Sequence, residues 1–528
     1  MAEVIEEKIS NFSGGISDDP RQPGSNIASL IKHFDIFSNP YKLIPLRDTE
    51  ADTSTSVSAT DLEQYLVRDF QLATSGRLYG LGENASGQPK VVFKADPTTG
   101  NWTLPATAEG NAARVSGAFI EWASSMWFLQ GTTQVARWAI GGTVTNTVAT
   151  LGVSITTVAQ PIVGADGNMY MFYNNRTVRV SSANAVTDNV FSAIPSDMRI
   201  TAAARWGSYL AIAVSHGTSD TAVPSGRSQV YLWDYVTDTT AYDIIDWGEG
   251  DLKVLGNIEG RLVGVSDKYL SNAISLSRGS MVIKMWAGGT PQVMKEIVAN
   301  QLVTADVATA RRFPRSFLVK DNRLYWAASV PFLFSTSTES TYHLGIWGFG
   351  RKNANANFAL TIEVVEEATA SANYFISSIG NAGNYWFIAH SAQSAGLVRK
   401  TNDSASFTYT SEYVTQIRNA GDSSVTKKLK GITVYTDPLP SGVTVTVQYA
   451  ADEDTSYTTI FTSTTANSIS ASAINIASSG AQLPEYKEIL FRITSTGGGE
   501  ITGLSWQSEL QQKDLFTRLF EYLINLIR

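Results

Sequence analysis

The chain has 528 residues, of which 43% are hydrophobic and only 17% charged, and its formal net charge is −8 at neutral pH. That length exceeds one ordinary core and predicts two or three domains, while the acidic balance argues against a dedicated nucleic-acid binder, which carries a basic excess. With no cysteine, disulfides and thiolate metal sites are excluded. The opening MAEVIEEKISNFSGG lacks a basic-then-apolar leader, and no stretch of about 18 apolar residues occurs, so neither ordinary secretion nor a membrane span is expected.

Residues 1–61 read as an extended N-terminal arm. NFSGGISDDPRQPGSN (Asn11–Asn26) crowds Gly14, Gly15, Pro20, Pro23 and Gly24 together, which breaks both helix and long strand. Asn26–His33 has room for one or two helical turns, and Phe34–Asp48 reads as extended pieces interrupted at Pro40 and Pro45. Phe12, Phe34, Ile36 and Phe37 would not be left in water, so the arm is expected to pack on the body of the protein or on a neighbouring subunit. These four are candidate partner contacts.

From about residue 62 to 400 one short phrase returns: a turn with Gly or Asn, one variable residue, then an apolar-aromatic strand. It reads GRLYGLG from Gly76, SMWFLQ from Ser125, NMYMFY from Asn168, SYLAIAV from Ser208, GRLVGVS from Gly260, NRLYWAA from Asn322 and NYWFIAH from Asn384. Taking Leu78, Trp127, Met169, Tyr209, Leu262, Leu324 and Tyr385 as equivalent gives seven copies, spaced by roughly 40 to 60 residues, the period of propeller blades. Partner strands such as KVVFKAD, GAFIEWAS and QVYLWDYV fill the intervals, with Gly, Asn and Asp clusters between them. A β-propeller of about seven blades is expected, with the apolar phrases as its inner strands and no long free sheet edge. Ile297–Ala310 is an insertion with room for a helix, and Phe332–Tyr342 reads as a polar loop.

Near residue 400 the pattern changes. Across 401–510 some seven strands follow, among them TKKLKGITVYTD (Thr426–Asp437), VTVTVQYAAD (Val443–Asp452) and KEILFRITST (Lys487–Thr496). In VTVTVQY, Val443, Val445, Val447 and Tyr449 alternate with polar residues, which describes one buried and one wet face. This segment is expected to be a β-sandwich. The end, 511–528, repeats Leu515, Phe516, Leu519, Phe520, Leu523, Ile524 and Ile527 at helical spacing, so an amphipathic helix is expected there. Its apolar stripe needs burial by its own domain or by a neighbouring subunit; Leu515, Phe516, Leu519, Phe520, Leu523 and Ile527 are the contact candidates.

The inventory for catalysis is thin. His33, His216, His343 and His390 are scattered without metal-ligand spacing, and no nucleophile elbow or phosphate loop is present. Paired carboxylates could serve a glycosidase: Asp246, Glu249 and Asp251 in DWGEGD, Glu366 and Glu367 in VVEEA, and Asp452 to Asp454 in ADEDT. All lie in turns or loops where solvated acids are common, so no catalytic residue, cofactor site or metal site is assigned. DPTTGNW (Asp96–Trp102) is read as a hairpin turn, and Trp127, Trp138, Trp233, Trp326 and Trp386 as core rather than sugar platforms. TKKLKG is too short a basic group for a nucleic-acid site.

Two stretches carry a resemblance. NFSGGISDDPRQPGSN followed by HFDIFSNPYKLIPLRD resembles the opening of β-propeller structural proteins of tailed bacteriophages, short-tailed ones in particular. TKKLKGITVYTDPLPSGVTVTVQYAAD with EILFRITST resembles the β-sandwich that follows the propeller in such proteins. The resemblance covers about a fifth of the chain directly. It implies a virion tail component assembled in the host cytoplasm: a nozzle or hub subunit, a hexamer being favoured, around an axial channel for DNA that is not specifically bound, docked to adaptor and fibre proteins. The alternative is a phage receptor-binding or glycan-cleaving tail protein; a cellular propeller scaffold fits the fold but not the two stretches.

Overall fold

The computed structural model describes residues 4–17, 26–52, 69–73, 75–84, 86–97, 100–105, 107–112, 114–217, 226–237, 240–269, 279–299, 317–330, 343–352, 355–365, 376–383, 385–390, 398–401, 407–452, 454, 456–474, 483–511 and 524. The chain is all-β, a seven-bladed propeller followed by a β-sandwich. Six blades are four-stranded antiparallel meanders built from consecutive strands, running from Asp69–Leu72 in blade one to Ala359–Val365 in blade six. In blade seven, Ile376–Ala382, Tyr385–His390 and Val398–Thr401 are joined by Thr49–Ala51, a strand from the arm. The first strands of successive blades touch in order round the axis, and that of blade seven meets that of blade one. At this seam Phe70 N–H donates to Ser378 Oγ at 3.2 Å. A Cβ on Gly380 would lie 2.9 Å from that of Phe70, so the seam closes only on glycine.

The apolar phrases are the second strands of the blades, one step out from the axis, rather than the innermost ones. The reason is burial. A second strand is covered by neighbouring blades on both faces, so Ser125–Gln130 and Met169–Tyr173 are buried at every position. The innermost strands border the axis and carry polar groups such as Gln160, Arg199 and Lys253. The turn preceding each phrase explains its Gly or Asn. Gly76, Ser124, Gly167, Gly207, Gly260, Asn322 and Gly383 all have positive φ, as tight hairpin turns require. That alignment makes Met126, two residues after Ser124, the counterpart of Leu78 in blade two, in place of Trp127.

The axis itself is narrow. Gln160 of blade three reaches across it to accept the Phe317 N–H of blade six at 3.2 Å.

The sandwich consists of two sheets, each completed by the arm. Val4–Ile9 pairs with Ile501–Leu510 at the edge of one sheet. In the other sheet Ala28–Lys32 lies between two partners, antiparallel to Ser411–Thr415 of the sandwich and parallel to Ala359–Val365 of blade six. Blade six, the arm strand and one sandwich sheet thus form a single nine-stranded sheet. Val443, Val445 and Val447 are buried as their alternation requires. One continuous core joins Ile9 and Phe12 of the arm, Trp326 and Phe349 of blade six, and Val447 and Phe491 of the sandwich.

Two expectations change here. Asn26–His33 is a strand across Ala28–Lys32, not helical turns, because both its edges hydrogen-bond to neighbouring strands and its apolar side chains are covered on both faces. Ile297 belongs to the strand Gln292–Ala299, and the remainder of its insertion, to Ala310, lies outside the described residues. So do the polar loop 332–342 and all of the C-terminal helix candidate except Ile524, which is helical and exposed.

Candidate functional site

The most heavily engineered part of the molecule is the path of the arm, which is fastened at four places. In the sandwich, Trp506 Nε1 donates to Glu7 Oε2 at 3.1 Å, and Phe12 meets Tyr413 edge-on at 5.2 Å. Lys42 ion-pairs with Asp437 and, at 3.2 Å, with Glu500. On blade six, the Arg323 guanidinium lies 4.1 Å from the centroid of Phe37 while Nη1 donates to buried Glu363 at 2.9 Å. Burial pushes the Glu363 carboxyl up, and Arg323 only partly offsets it.

At the link between propeller and sandwich, Asp48 accepts N–H groups from Thr408 and Tyr409 and the Thr408 hydroxyl. Burial opposes its charge, but His33, 3.6 Å away, and these donors outweigh burial and hold the carboxyl below its usual range. The fourth fastening follows the blade-seven strand. Asp52 lies buried against blade one, taking both its oxygens to Lys94 Nζ at 2.9 and 3.1 Å and accepting Trp102 Nε1–H at 2.9 Å. Lys94 also sits 5.6 Å from the ring centroids of Trp102 and of Phe387 in blade seven. One aspartate therefore ties the first and last blades to the arm.

Phe12, Phe34, Ile36 and Phe37 are buried by the chain itself, so of the two covers expected for the arm it is the body of the protein that supplies theirs, and their candidacy as contacts with another subunit is corrected. Each finds its cover in the body that the arm crosses. Leu515, Phe516, Leu519, Phe520, Leu523 and Ile527 lie outside the described residues.

The carboxylates of DWGEGD do not converge. Asp246 is exposed on the outer strand of blade four and ion-pairs with Arg227, whereas Asp251 is buried at the start of the innermost strand of blade five. Burial works against the Asp251 charge, yet Lys253 at 2.6 Å and Arg199 hold its carboxyl below the usual range. Glu249 ends the outer strand of blade four. Asp452 accepts the N–H groups of Lys487 and Glu488 in a sandwich turn; Asp454 is described, while Glu366, Glu367 and Glu453 are not. The Asp96 backbone carbonyl accepts the Gly100 N–H in the turn between two strands of blade one, as read for DPTTGNW. Trp127, Trp138, Trp233 and Trp326 are fully buried and Trp386 is partly buried. Among the described residues no three His, Asp or Glu stand together as a metal would need, and no helix is long and apolar enough to cross a membrane. Asp48, Asp52, Lys94 and Arg323 went unnoticed in the sequence; the charged run RDTEAD after an apolar arm is the one local hint of the first two.

These features define a propeller strapped by its own N-terminus to a sandwich. No protein-family profile matches the chain, and no curated protein does. Among solved structures it is similar to YCF48 bound to D1 peptide, at 10% identity over 71% of this chain and 98% of that one, with a TM-score of 0.40. It is similar to the Neurospora crassa Pan2 WD40 domain at 9% identity over 69% and 97%, with a TM-score of 0.37. An exo-β-1,3-galactanase from Phanerochaete chrysosporium matches at 10% identity over 87% and 99%, with a TM-score of 0.30.

Proposed function

We propose that this chain is a structural subunit that works by assembly rather than catalysis, a component of the tail nozzle or hub of a tailed-phage virion. The observation that carries the structural role is the threading of one arm through the sandwich, blade six, blade seven and blade one, which makes two domains into one stiff block. Stiffness of that kind suits a part that transmits load between neighbours. The virion assignment rests on the resemblance of 11–26, 33–48, 426–452 and 488–496 to phage propeller proteins. In this reading several copies, six being favoured, form a ring that docks adaptor proteins on one side and fibres on the other.

Any path for DNA in such a ring runs between subunits. The propeller axis is bridged by a single glutamine side chain, whereas the major groove of B-DNA alone is about 12 Å wide. A net charge of −8 would discourage phosphates from sticking to the channel wall. The test is electron microscopy of the purified full-length protein beside virions labelled with an antibody to it. Rings with an axial hole, or label on the tail axis, are expected. Monomers that label only peripheral fibres would instead favour receptor binding, and absence from virions would overturn the assignment.

A further inference from the structure

Four aromatic side chains form a row across blades four and five, on the face where the turns between their first and second strands emerge. Trp286 meets Trp206 edge-on at 5.1 Å, Trp206 stacks on Tyr209 at 6.1 Å, and Tyr209 packs on Tyr242 at 4.5 Å with 32° between the planes. The inner end is fixed by the fold: Trp206 Nε1 donates to the Gly260 carbonyl at 2.7 Å, and Trp286 Nε1 to that of Gly289 at 2.8 Å. The outer end is open. Tyr209 covers one side of Tyr242, yet Tyr242 remains 66% exposed. Exposed Asp234 lies within electrostatic reach of Tyr209.

We infer that the open end of this row, Tyr209 and Tyr242, is a binding shelf for a hexopyranose chain. A supported aromatic ring with a free face offers a flat apolar platform for the C–H face of a sugar, and the bordering Asp234 carboxylate can take its hydroxyls. Core packing does not account for a tyrosine two-thirds in solvent. A stable protein partner calls for about 800 Å² on each side, far more than two tyrosine rings with one carboxylate beside them. The shelf does not depend on the structural role proposed above, so either can fail alone.

The experiment is calorimetric titration of the full-length protein with maltohexaose, cellohexaose and chitohexaose, with tryptophan fluorescence followed in parallel. Saturable binding of at least one is expected, with a fluorescence change from Trp206. Tyr242→Ala should weaken it about tenfold or more, as truncating a central aromatic contact does, while Tyr242→Phe keeps the ring and should stay within about twofold. Asp234→Asn, which leaves every ring in place, should weaken binding about fivefold and guards against an unstable Tyr242→Ala. Failure of all three sugars to bind, or wild-type binding by both Tyr242→Ala and Asp234→Asn, overturns the inference. So does decaproline binding at Tyr242 in place of the sugars.

Discussion

The blades and the arm hold this molecule together by opposite means. Each blade is a meander whose strands pair with their neighbours in sequence, so most of its hydrogen bonds close short loops at small entropic cost. The arm has no partner near it in sequence. Lys32 pairs with Ile362 and with Glu412, Thr49 with Thr401, and Val4 with Glu509. Local meanders give the propeller its shape, and distant pairings by a few short strands give the ring its closure and the sandwich its fixed seat. The difference also shows at the sheet edges. Blade six is covered by Ala28–Lys32, and in blade seven the arm itself supplies the outer strand; in blades two, four and five the outer strands Val144–Thr150, Asp243–Glu249 and Gln292–Ala299 have no further strand beside them among the described residues.

If that contrast is right, damage to the arm should spread and damage to a blade surface should not. Deleting residues 1–52 is the largest break. It removes strands from four sheets, one of them a two-stranded sheet lost whole, and buried Phe12, Ile31 and Phe34 together, each large apolar loss costing about 2–5 kcal/mol against a total stability of about 5–15 kcal/mol. No cooperatively folded protein is expected, as soluble yield and circular dichroism would reveal.

Asp52→Ala comes next. It removes the buried carboxylate that Lys94 meets through both oxygens and should cost about 3–5 kcal/mol in urea unfolding. The double variant Asp52→Ala with Lys94→Met should recover much of that, because the buried ammonium is removed together with its carboxylate.

Asp48→Asn is expected to cost about 1–3 kcal/mol near neutral pH. Because the folded-state carboxyl titrates below its unfolded value, its contribution is present above about pH 4 and fades as pH falls through the folded value. The gap in Tm between wild type and Asp48→Asn should therefore close on acidification. At the small end, Asp246→Asn removes an exposed pair with Arg227 and should shift stability by less than about 1 kcal/mol.

The propeller was legible because its second strands are covered on both faces, which prints the same apolar phrase seven times and demands a left-handed residue before each. The phrase misaligned only at blade two, where Ser124 takes the turn position without being Gly or Asn, and Trp127 drew the eye away from Met126. The sandwich was legible from the alternation in Val443–Tyr449. The arm was not. A five-residue strand with its apolar side chains covered on both faces shows no period of two, and its partners lie hundreds of residues away. The need of Phe12, Phe34, Ile36 and Phe37 for cover could be read, but not that the chain's own body supplies it. The fastening aspartates look like ordinary loop acids until Lys94, Trp102 and Thr408 are brought to them. The aromatic row was hidden for the same reason, since two blades contribute to it.

Native-state hydrogen exchange on the full-length protein tests the strap most directly. The account predicts that the amides of Ala28–Lys32 and Thr49–Ala51 exchange only with the global opening that also releases Val398–Thr401 and Ser411–Thr415. Exchange of the arm strands by local fraying, while the blades and sandwich stay protected, would contradict it.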